Sequence, residues 1–260
     1  MRKYFTPKEI IPDLRRIRLT LEYDGSRLHG WQSQQSPEVP TVQGELEKAF
    51  DALTQTPPED IAAAGRTDKG VHATAMVCHI DTFHNVNLEK IKTGMNRHLP
   101  DSIAVISAEE ADQYFHARYM CKERRYEYRI LNRYARSPLW QGHAALVRQP
   151  LDVSAMANAA KLLEGEHDFS AFRSSECQGK TPVTTIKDLT VSAEGDFVIL
   201  SVRGVTFLHN MVRILAGTLV EVGLGKISSA DLQEIIKNKD RTNAGKTMSA
   251  HGLYFTKAVY

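Results

Sequence analysis

The chain has 260 residues, a hydrophobic fraction of 42%, a charged fraction of 25% and a formal net charge of +2. This length suits one large domain or two smaller ones that share a core. No apolar run approaches the roughly 20 residues that a membrane-spanning helix needs, and residues 1–7 lack the apolar segment of a secretion signal. The scattered cysteines Cys78, Cys121 and Cys177 indicate reduced thiols rather than a disulfide framework or a metal site. We therefore predict a cytoplasmic protein that does not associate with a membrane.

The first part of the chain alternates between strand and helix patterns. Alternating apolar residues predict a strand over residues 16–23. Thr41 precedes apolar residues at helical spacing and can cap a helix there. Further along we predict a strand around residues 76–80, a helix over 88–99 and a strand over 103–108.

The second part continues with the same kinds of element. We predict strands over residues 125–131, 197–203 and 253–259. Asp152 can cap a helix that runs to about Glu164, an apolar helix spans 209–222, and Ser228 or Ser229 caps a last helix. Long strands mixed with helices, without strict βαβ alternation, favour an α+β fold with a largely antiparallel sheet.

A seam is predicted near residues 108–114. It divides the chain into an N-terminal extension over 1–14, an N-terminal half over 15–110 and a C-terminal half over 111–260. No internal repeat and no low-complexity segment interrupts these parts.

The run from Ala64 to Ala73 holds an acid between two cations and two glycines. Asp68 lies between Arg66 and Lys69, an arrangement that favours an ionised carboxylate and leaves it open to an anionic partner. This combination suggests an aspartate nucleophile that works on nucleic acid. Taken alone, an aspartate that closes a turn before a glycine is the more frequent explanation.

Residues 115–136 combine basic and aromatic side chains. Seven Lys or Arg, five aromatics and two acids fall in this stretch. Cations neutralise phosphates and aromatic faces stack on bases. A solvated basic face on an exposed strand explains the composition equally well.

Several motifs, in order, resemble those of the tRNA pseudouridine synthase A family. The Asp68 loop resembles the family signature Gly-Arg-Thr-Asp followed by Gly-Val-His. The other matching segments are Tyr23-Asp24-Gly25, His29-Gly30-Trp31-Gln32, residues 41–47, Phe115-His116-Ala117-Arg118, residues 124–128, residues 168–173, residues 207–213 and Gly252-Leu253-Tyr254. The resemblance covers about residues 17–260.

The resemblance implies a fold, a substrate and an assembly. The fold is the α+β pseudouridine synthase fold, with a mixed, largely antiparallel central sheet flanked by helices and a cleft between two similar halves. The substrate is tRNA, modified in the anticodon stem-loop at positions 38, 39 and 40. The family acts as a homodimer, and one tRNA bridges both subunits.

The implied reaction breaks the bond from N1 of uracil to C1′ of the ribose and rejoins the base through C5. No redox change occurs, so the reaction needs no metal and no organic cofactor. Asp68 is the implied nucleophile. It attacks either C1′ or C6, and the sequence does not choose between them.

Two further catalytic residues are implied by the resemblance. Arg213 interrupts the apolar stretch 211–215, and the matching arginine of the family pairs with the catalytic aspartate. An arginine on the solvent face of a helix is the alternative. Tyr126 matches the active-site tyrosine, which stacks on the uracil and is a candidate to take the C5 proton. Periodicity alone does not separate Tyr126 from Tyr128.

The remaining implied contacts are with the tRNA. Arg66 is expected to hold the flipped-out nucleotide, although a simple phosphate contact or an ion pair with Asp68 is an alternative. Two segments match parts of the family that touch tRNA: Phe115, His116, Ala117, Arg118 and Tyr119, and the loop of Glu176, Cys177, Gln178, Gly179 and Lys180.

Two other functions compete with the isomerase. A non-catalytic RNA-binding module on the same fold would have lost Asp68, Tyr126 or Arg213, and all three are present. A retaining glycosidase would pair its aspartate nucleophile with a second acid. The Asp68 loop supplies cations instead, which disfavours this reading.

Overall fold

The computed structural model describes residues 10–34, 39–175 and 181–260, and these form two compact units. The first unit contains the described residues up to Lys122 together with Phe255–Tyr260, and the second contains Glu123–Tyr254. The chain therefore leaves the first unit once and returns to it in its last strand.

Four strands of the first unit build an antiparallel sheet. They are β1 (Arg15–Tyr23), β2 (Asp60–Ala63), β3 (His72–Thr82) and β4 (Ile103–Ala111). β1 lies between β4 and β3, and β2 also pairs with β3. In the middle of β1, Leu19 is opposite Cys78 on one side and Ala108 on the other. Both Leu19 and Cys78 are fully buried, which places the core of this unit along the apolar face of β1 and β3.

Two capped helices complete the first unit. α1 (Val42–Thr54) begins after Thr41, whose hydroxyl accepts the Gly44 N–H at 3.2 Å. α2 (Leu88–His98) begins after Asn87, whose side chain accepts the Glu89 N–H at 2.8 Å. The helices contact each other, and each buries the apolar side chains that recur at helical spacing.

The second unit contains a mixed sheet. Its strands are β5 (Glu123–Asn132), β6 (Ala145–Val147), β7 (Gly165–Asp168), β8 (Val183–Glu194) and β9 (Phe197–Gly204). The order β5-β9-β8-β7 is antiparallel throughout, and β6 pairs with β5 in parallel. A last strand, β10 (Leu253–Val259), begins with two residues of the second unit and ends in the first. The prediction of an α+β fold with a mixed, largely antiparallel sheet is confirmed.

Three helices accompany these strands: α3 (Val153–Lys161), α4 (Met211–Gly223) and α5 (Ser229–Asn238). Asp152 caps α3, and Ser228 forms a capping box with Asp231 at the start of α5. α4 is buried along almost its whole length. None of the helices in the described ranges is both long enough and apolar enough to cross a membrane.

Most predicted elements are present, with two revised ends. The apolar helix starts at Met211 rather than at residue 209, because Asn210 has a left-handed backbone (φ 61°) that a helix cannot include. The helix capped by Asp152 ends at Lys161, three residues before the expected Glu164.

Four strands were missed, namely β2, β6, β7 and β8. β8 is the longest strand of the fold, yet its register shifts between Ile186 and Asp188. This irregularity breaks the period-two alternation by which a strand is recognised in a sequence. β2, β6 and β7 have only three or four residues each, too few for a periodic signal.

The boundary between the compact units lies after Lys122, beyond the predicted seam at residue 110. Hydrogen bonds attach the intervening residues 111–122 to the first unit. The guanidinium of Arg16 forms two 2.6 Å bonds with the buried carboxylate of Asp81 and also donates to the carbonyl oxygens of Gln113 and Phe115. The Lys122 N–H then donates to Val259 at 2.8 Å.

Candidate active site

The Asp68 loop connects β2 with β3 and is anchored on both sides. The Ala64 N–H donates to the Val77 carbonyl at 2.8 Å, and the hydroxyls of Thr67 and Tyr23 lie 2.9 Å apart in a buried hydrogen bond. The Val71 N–H donates to the Asp68 carbonyl at 3.2 Å and closes the turn. These bonds hold the backbone on both sides of Asp68, so the carboxylate projects from a fixed position.

The segment around Gly30 packs directly against this loop. The Trp31 N–H donates to the Thr67 carbonyl at 3.0 Å. Gly30 has φ +89°, and a Cβ there would lie 2.6 Å from the same carbonyl oxygen. Only glycine allows both the left-handed backbone and this close approach. The His29-Gly30-Trp31-Gln32 motif therefore supports the Asp68 loop.

An open pocket of about 350 Å³ lies between these two segments, and its lining comes entirely from the first unit. The lining residues are His29, Trp31, Gln32, Ser33, Gln34, Arg66, Thr67 and Asp68. Asp68 is half-buried at this pocket and Arg66 is exposed. The structure thus brings together two of the predicted site residues, the aspartate and the arginine two positions before it.

His29 and Trp31 belong to the pocket but received no role from the sequence. They stood in a matching motif, yet nothing in their spacing showed that they line the aspartate's pocket. Lys69, on the other side of Asp68, is exposed, and its Nζ lies 2.8 Å from Nε2 of His29.

The predicted tRNA-binding segment 115–119 forms a turn of the first unit that hydrogen bonds hold in place. The Ala117 N–H donates to Nδ1 of the buried His79 at 3.2 Å, and the Tyr260 hydroxyl donates to the Ala117 carbonyl at 2.8 Å. Arg118 and Tyr119 are exposed beside this anchor. The turn therefore presents one cation and one aromatic ring to solvent, groups suited to a phosphate and a base.

His116 shapes this turn as a neutral acceptor. Its Nδ1 accepts the N–H groups of Arg118 at 3.1 Å and Tyr119 at 3.4 Å. Burial, together with the nearby His79 and Arg16, lowers the pKa of His116 to about 4. The imidazole is consequently uncharged near neutral pH, so it organises the backbone and does not supply a positive charge.

The second unit holds the two tyrosines that periodicity could not separate. Both lie on the buried face of β5, as expected from the alternation. The Tyr128 hydroxyl donates to the Ser249 carbonyl at 2.7 Å, and burial is the main cause that raises the pKa of Tyr128 to about 12. A Cβ on Gly252 would lie 2.7 Å from its ring, so this glycine of the matching motif makes room for Tyr128. Tyr128 is a core residue.

Tyr126 differs from Tyr128 in its surroundings. It retains 8% exposure, whereas Tyr128 has none. Its ring meets Phe207 edge to face, with the centroids 5.0 Å apart. Phe207 itself is only half-buried and opens the stretch 207–213 that matched the family.

Arg213 lies in the first turn of α4 and is held by neighbours from its own unit. Its Nε donates to the Met248 carbonyl at 2.7 Å, and a terminal nitrogen donates to the Asn210 side chain at 2.5 Å. The backbones of the same two residues are also linked, because the Met248 N–H donates to the Arg213 carbonyl at 3.2 Å. A freely solvated arginine would show no such bonds, so Arg213 has a fixed side-chain direction.

These features were compared with known proteins. The family model described as tRNA pseudouridine synthase matches residues 20–120 and 159–260. The chain belongs to the tRNA pseudouridine synthase family.

Relatives in this family match the chain over almost its whole length. Three of them carry the name tRNA pseudouridine synthase A, and the alignment covers 95% of this chain and 100% of each relative. They are from Brevibacillus brevis (strain 47) at 45% identity, Rhodospirillum centenum at 44% and Thermoanaerobacter sp. (strain X514) at 40%. Among solved structures, a chain of an H/ACA RNP bound to a substrate RNA containing 2'-deoxyuridine covers 97% of this chain and 59% of its own length, at 10% identity and a TM-score of 0.36.

Much of the basic charge on the strand that matches the synthase family serves the fold. Arg125 and Lys187 both pair with Glu123 at 2.8 Å, and Arg129 pairs with Glu127 at 3.1 Å. The buried Arg124 donates to the Val205 carbonyl at 2.8 Å. Pairing within the fold, and not a solvated face, therefore accounts for much of the basic charge of β5. The exposed cations of the stretch 115–136 are Arg118, Lys122 and Arg136.

The remaining predictions concern the loop 176–180, the N-terminal extension, the cysteines and a metal site. The loop of Glu176, Cys177, Gln178, Gly179 and Lys180 lies outside the described residues, as does most of the extension 1–14. Cys78 is a buried free thiol whose pKa is raised by burial. Among the described residues, neither unit by itself brings together three side chains suited to binding a metal.

Proposed function

We propose that this chain is a tRNA pseudouridine synthase, an isomerase that converts uridine to pseudouridine in tRNA. Membership of the family and the full-length similarity to relatives of that name support it. The observation that carries the chemistry is the Asp68 loop, whose backbone is held on both sides by hydrogen bonds and where the aspartate and an exposed arginine share one open pocket.

In this proposal Asp68 is the nucleophile. Its carboxylate bonds to C1′ or to C6 of the target uridine, and that bond breaks again when the product forms, which regenerates the carboxylate. In between, the bond between N1 and C1′ breaks, the base turns while it remains in the pocket, and C5 bonds to C1′. The proton leaves C5, and N1 gains one, so the atoms balance without a cofactor. Arg66 holds the flipped-out nucleotide, and the exposed Arg118 and Tyr119 contact the tRNA.

Tyr126 and Arg213 complete the catalytic set. Tyr126 stacks on the uracil and is the candidate to take the C5 proton. The contrast with Tyr128 supports this choice, because Tyr126 keeps some exposure, whereas Tyr128 is fully buried and donates its hydroxyl to a carbonyl in the core. Arg213 is the arginine that the family resemblance assigns to the catalytic aspartate. The N-terminal half thus supplies Asp68, and the C-terminal half supplies Tyr126 and Arg213.

The finer parts of the proposal rest on the family resemblance. The modified uridines are those at positions 38, 39 and 40 of the anticodon stem-loop, the enzyme acts in the cytoplasm, and it works as a homodimer. The loop 176–180 adds a second contact with the tRNA.

The test is a map of pseudouridine in tRNA from cells with and without the gene, with restoration from a plasmid. We expect pseudouridine to disappear at positions 38–40 and to return with the wild-type gene. Loss at another tRNA position would keep the chemistry and overturn the site assignment. A map unchanged by removal of the gene would contradict the proposed function.

A further inference from the structure

Lys69 is an exposed lysine whose side chain is held in place. Its Nζ lies 2.8 Å from Nε2 of His29, on the segment that packs against the Asp68 loop. An ammonium group only donates hydrogen bonds, so Nε2 of His29 is the acceptor. A long side chain fixed in this way loses less conformational entropy when it binds a ligand.

The histidine that holds Lys69 leaves its other nitrogen unsatisfied. Because Nε2 accepts from Lys69, the ring proton lies on Nδ1. That atom is buried and has no hydrogen-bond partner among the described residues. An unsatisfied buried donor is costly and calls for an explanation. Among the described residues, Lys69 is the group that forms a hydrogen bond with this ring.

The position of Lys69 fits the chemistry of a nucleotide seated at Asp68. A ribose within reach of the carboxylate carries a phosphate on its 5′ side and another on its 3′ side. Arg66 and Lys69 flank Asp68 in the chain, and both are exposed at the loop. With Arg66 assigned to the flipped-out nucleotide itself, Lys69 is the cation of this loop that remains to neutralise a phosphate entering with that nucleotide.

We propose that Lys69, oriented by His29, binds a backbone phosphate next to the target uridine. His29 is then a positioning residue. This inference rests on the proposed function and deepens it, because it assigns a tRNA contact to the residue between Asp68 and Gly70.

The experiment measures binding of an anticodon stem-loop RNA at several salt concentrations. All proteins carry Asp68→Asn, so that the RNA is not converted. We expect Lys69→Ala to weaken binding about threefold to tenfold and to reduce the slope of log K against log salt by roughly 0.7 to 0.9. The matched control is Lys90→Ala, which removes an exposed lysine from α2. It should leave the slope unchanged.

A second arm locates the phosphate. One uncharged methylphosphonate linkage is placed either 5′ or 3′ of the target uridine. At one of these two positions the modification should weaken binding of the RNA to the protein that keeps Lys69. The Lys69→Ala protein should bind that RNA and the unmodified RNA equally well. His29→Phe alone should weaken RNA binding by less than Lys69→Ala does. The double variant should bind the RNA as tightly as Lys69→Ala alone.

The outcomes separate this inference from the proposed function. Equal salt slopes for Lys69→Ala and Lys90→Ala, or a methylphosphonate penalty that persists in Lys69→Ala, would overturn the phosphate contact. If Lys69→Ala behaves as expected and the double variant is additive, the orienting role of His29 is wrong. The proposed function fails separately if the protein with Asp68 intact forms no pseudouridine.

Discussion

Two tyrosines two positions apart on β5 have different environments, and this contrast gives a matched pair of variants. Tyr128→Phe removes the donor to the Ser249 carbonyl in the core. We expect it to lower the free energy of unfolding by about 1 kcal/mol and to leave the turnover of the folded protein near that of the wild type. Chemical denaturation and a pseudouridine assay measure the two effects.

Tyr126→Phe should show the opposite pattern. The ring keeps its edge contact with Phe207, so binding of tRNA should persist, whereas the hydroxyl needed to accept the C5 proton is lost. We expect turnover to fall by roughly a hundredfold or more. Full turnover in Tyr126→Phe would restrict the residue to stacking and leave the proton acceptor to be found elsewhere.

At the same scale, the sequence was informative where a residue belongs to a dense motif. Asp68 and Arg66 were recognised together, and the structure places them at one pocket. His29 was not recognised, because its contact with Lys69 joins residues 40 positions apart and depends on how two loops pack. No local pattern encodes that approach.

At the scale of elements, the Asp68 loop depends on a glycine in a different segment. Gly30→Ala would place a Cβ 2.6 Å from the Thr67 carbonyl in a backbone with φ +89°. We expect a loss of about 1–3 kcal/mol in unfolding free energy together with a larger loss of turnover, because the strain falls beside Asp68. Gly195→Ala, at φ +59° with open space around it, is the control. Equal losses of turnover in both variants would contradict the supporting role of Gly30.

The Arg16 guanidinium links two strands of the first unit to the segment 113–115, because it pairs with the buried Asp81 and also donates to the carbonyl oxygens of Gln113 and Phe115. Asp81→Asn would leave the Arg16 guanidinium without its charged partner in the core. We expect a loss of about 3–5 kcal/mol in unfolding free energy, measured by urea denaturation. Glu109→Gln, whose carboxylate lies 3.9 Å from Arg18 at the surface, should change stability by less than about 1 kcal/mol. Similar losses of unfolding free energy in the two variants would contradict the stabilising role of the buried pair.

The elements that the sequence predicted are those with a regular period or a recognisable cap. Thr41, Asp152 and Ser228 each cap the helix expected of them. β8 was missed because its bulge resets the alternation, and the start of α4 was misplaced because Asn210 takes a left-handed conformation. Both deviations are backbone irregularities at single positions, which the period of the apolar residues does not reveal.

At the scale of the whole molecule, the sequence identified the family, and the structure revised where the chain divides. The residues just beyond the predicted seam belong to the first unit because Arg16, His79 and Tyr260 hold them there. These partners lie about 38 to 143 positions away in the chain, so composition near residue 110 could not reveal them. A cleft between the halves stays a prediction.

The central claim is that Asp68 forms a covalent bond with the nucleotide during isomerisation. The most direct measurement is pseudouridine formation by the purified protein on tRNA, compared between the wild type, Asp68→Asn and Asp51→Asn, a control at an exposed position of α1. The account predicts normal turnover for Asp51→Asn and a loss of at least about a thousandfold for Asp68→Asn, with tRNA binding retained within a few-fold. Turnover in Asp68→Asn within tenfold of the wild type would contradict it.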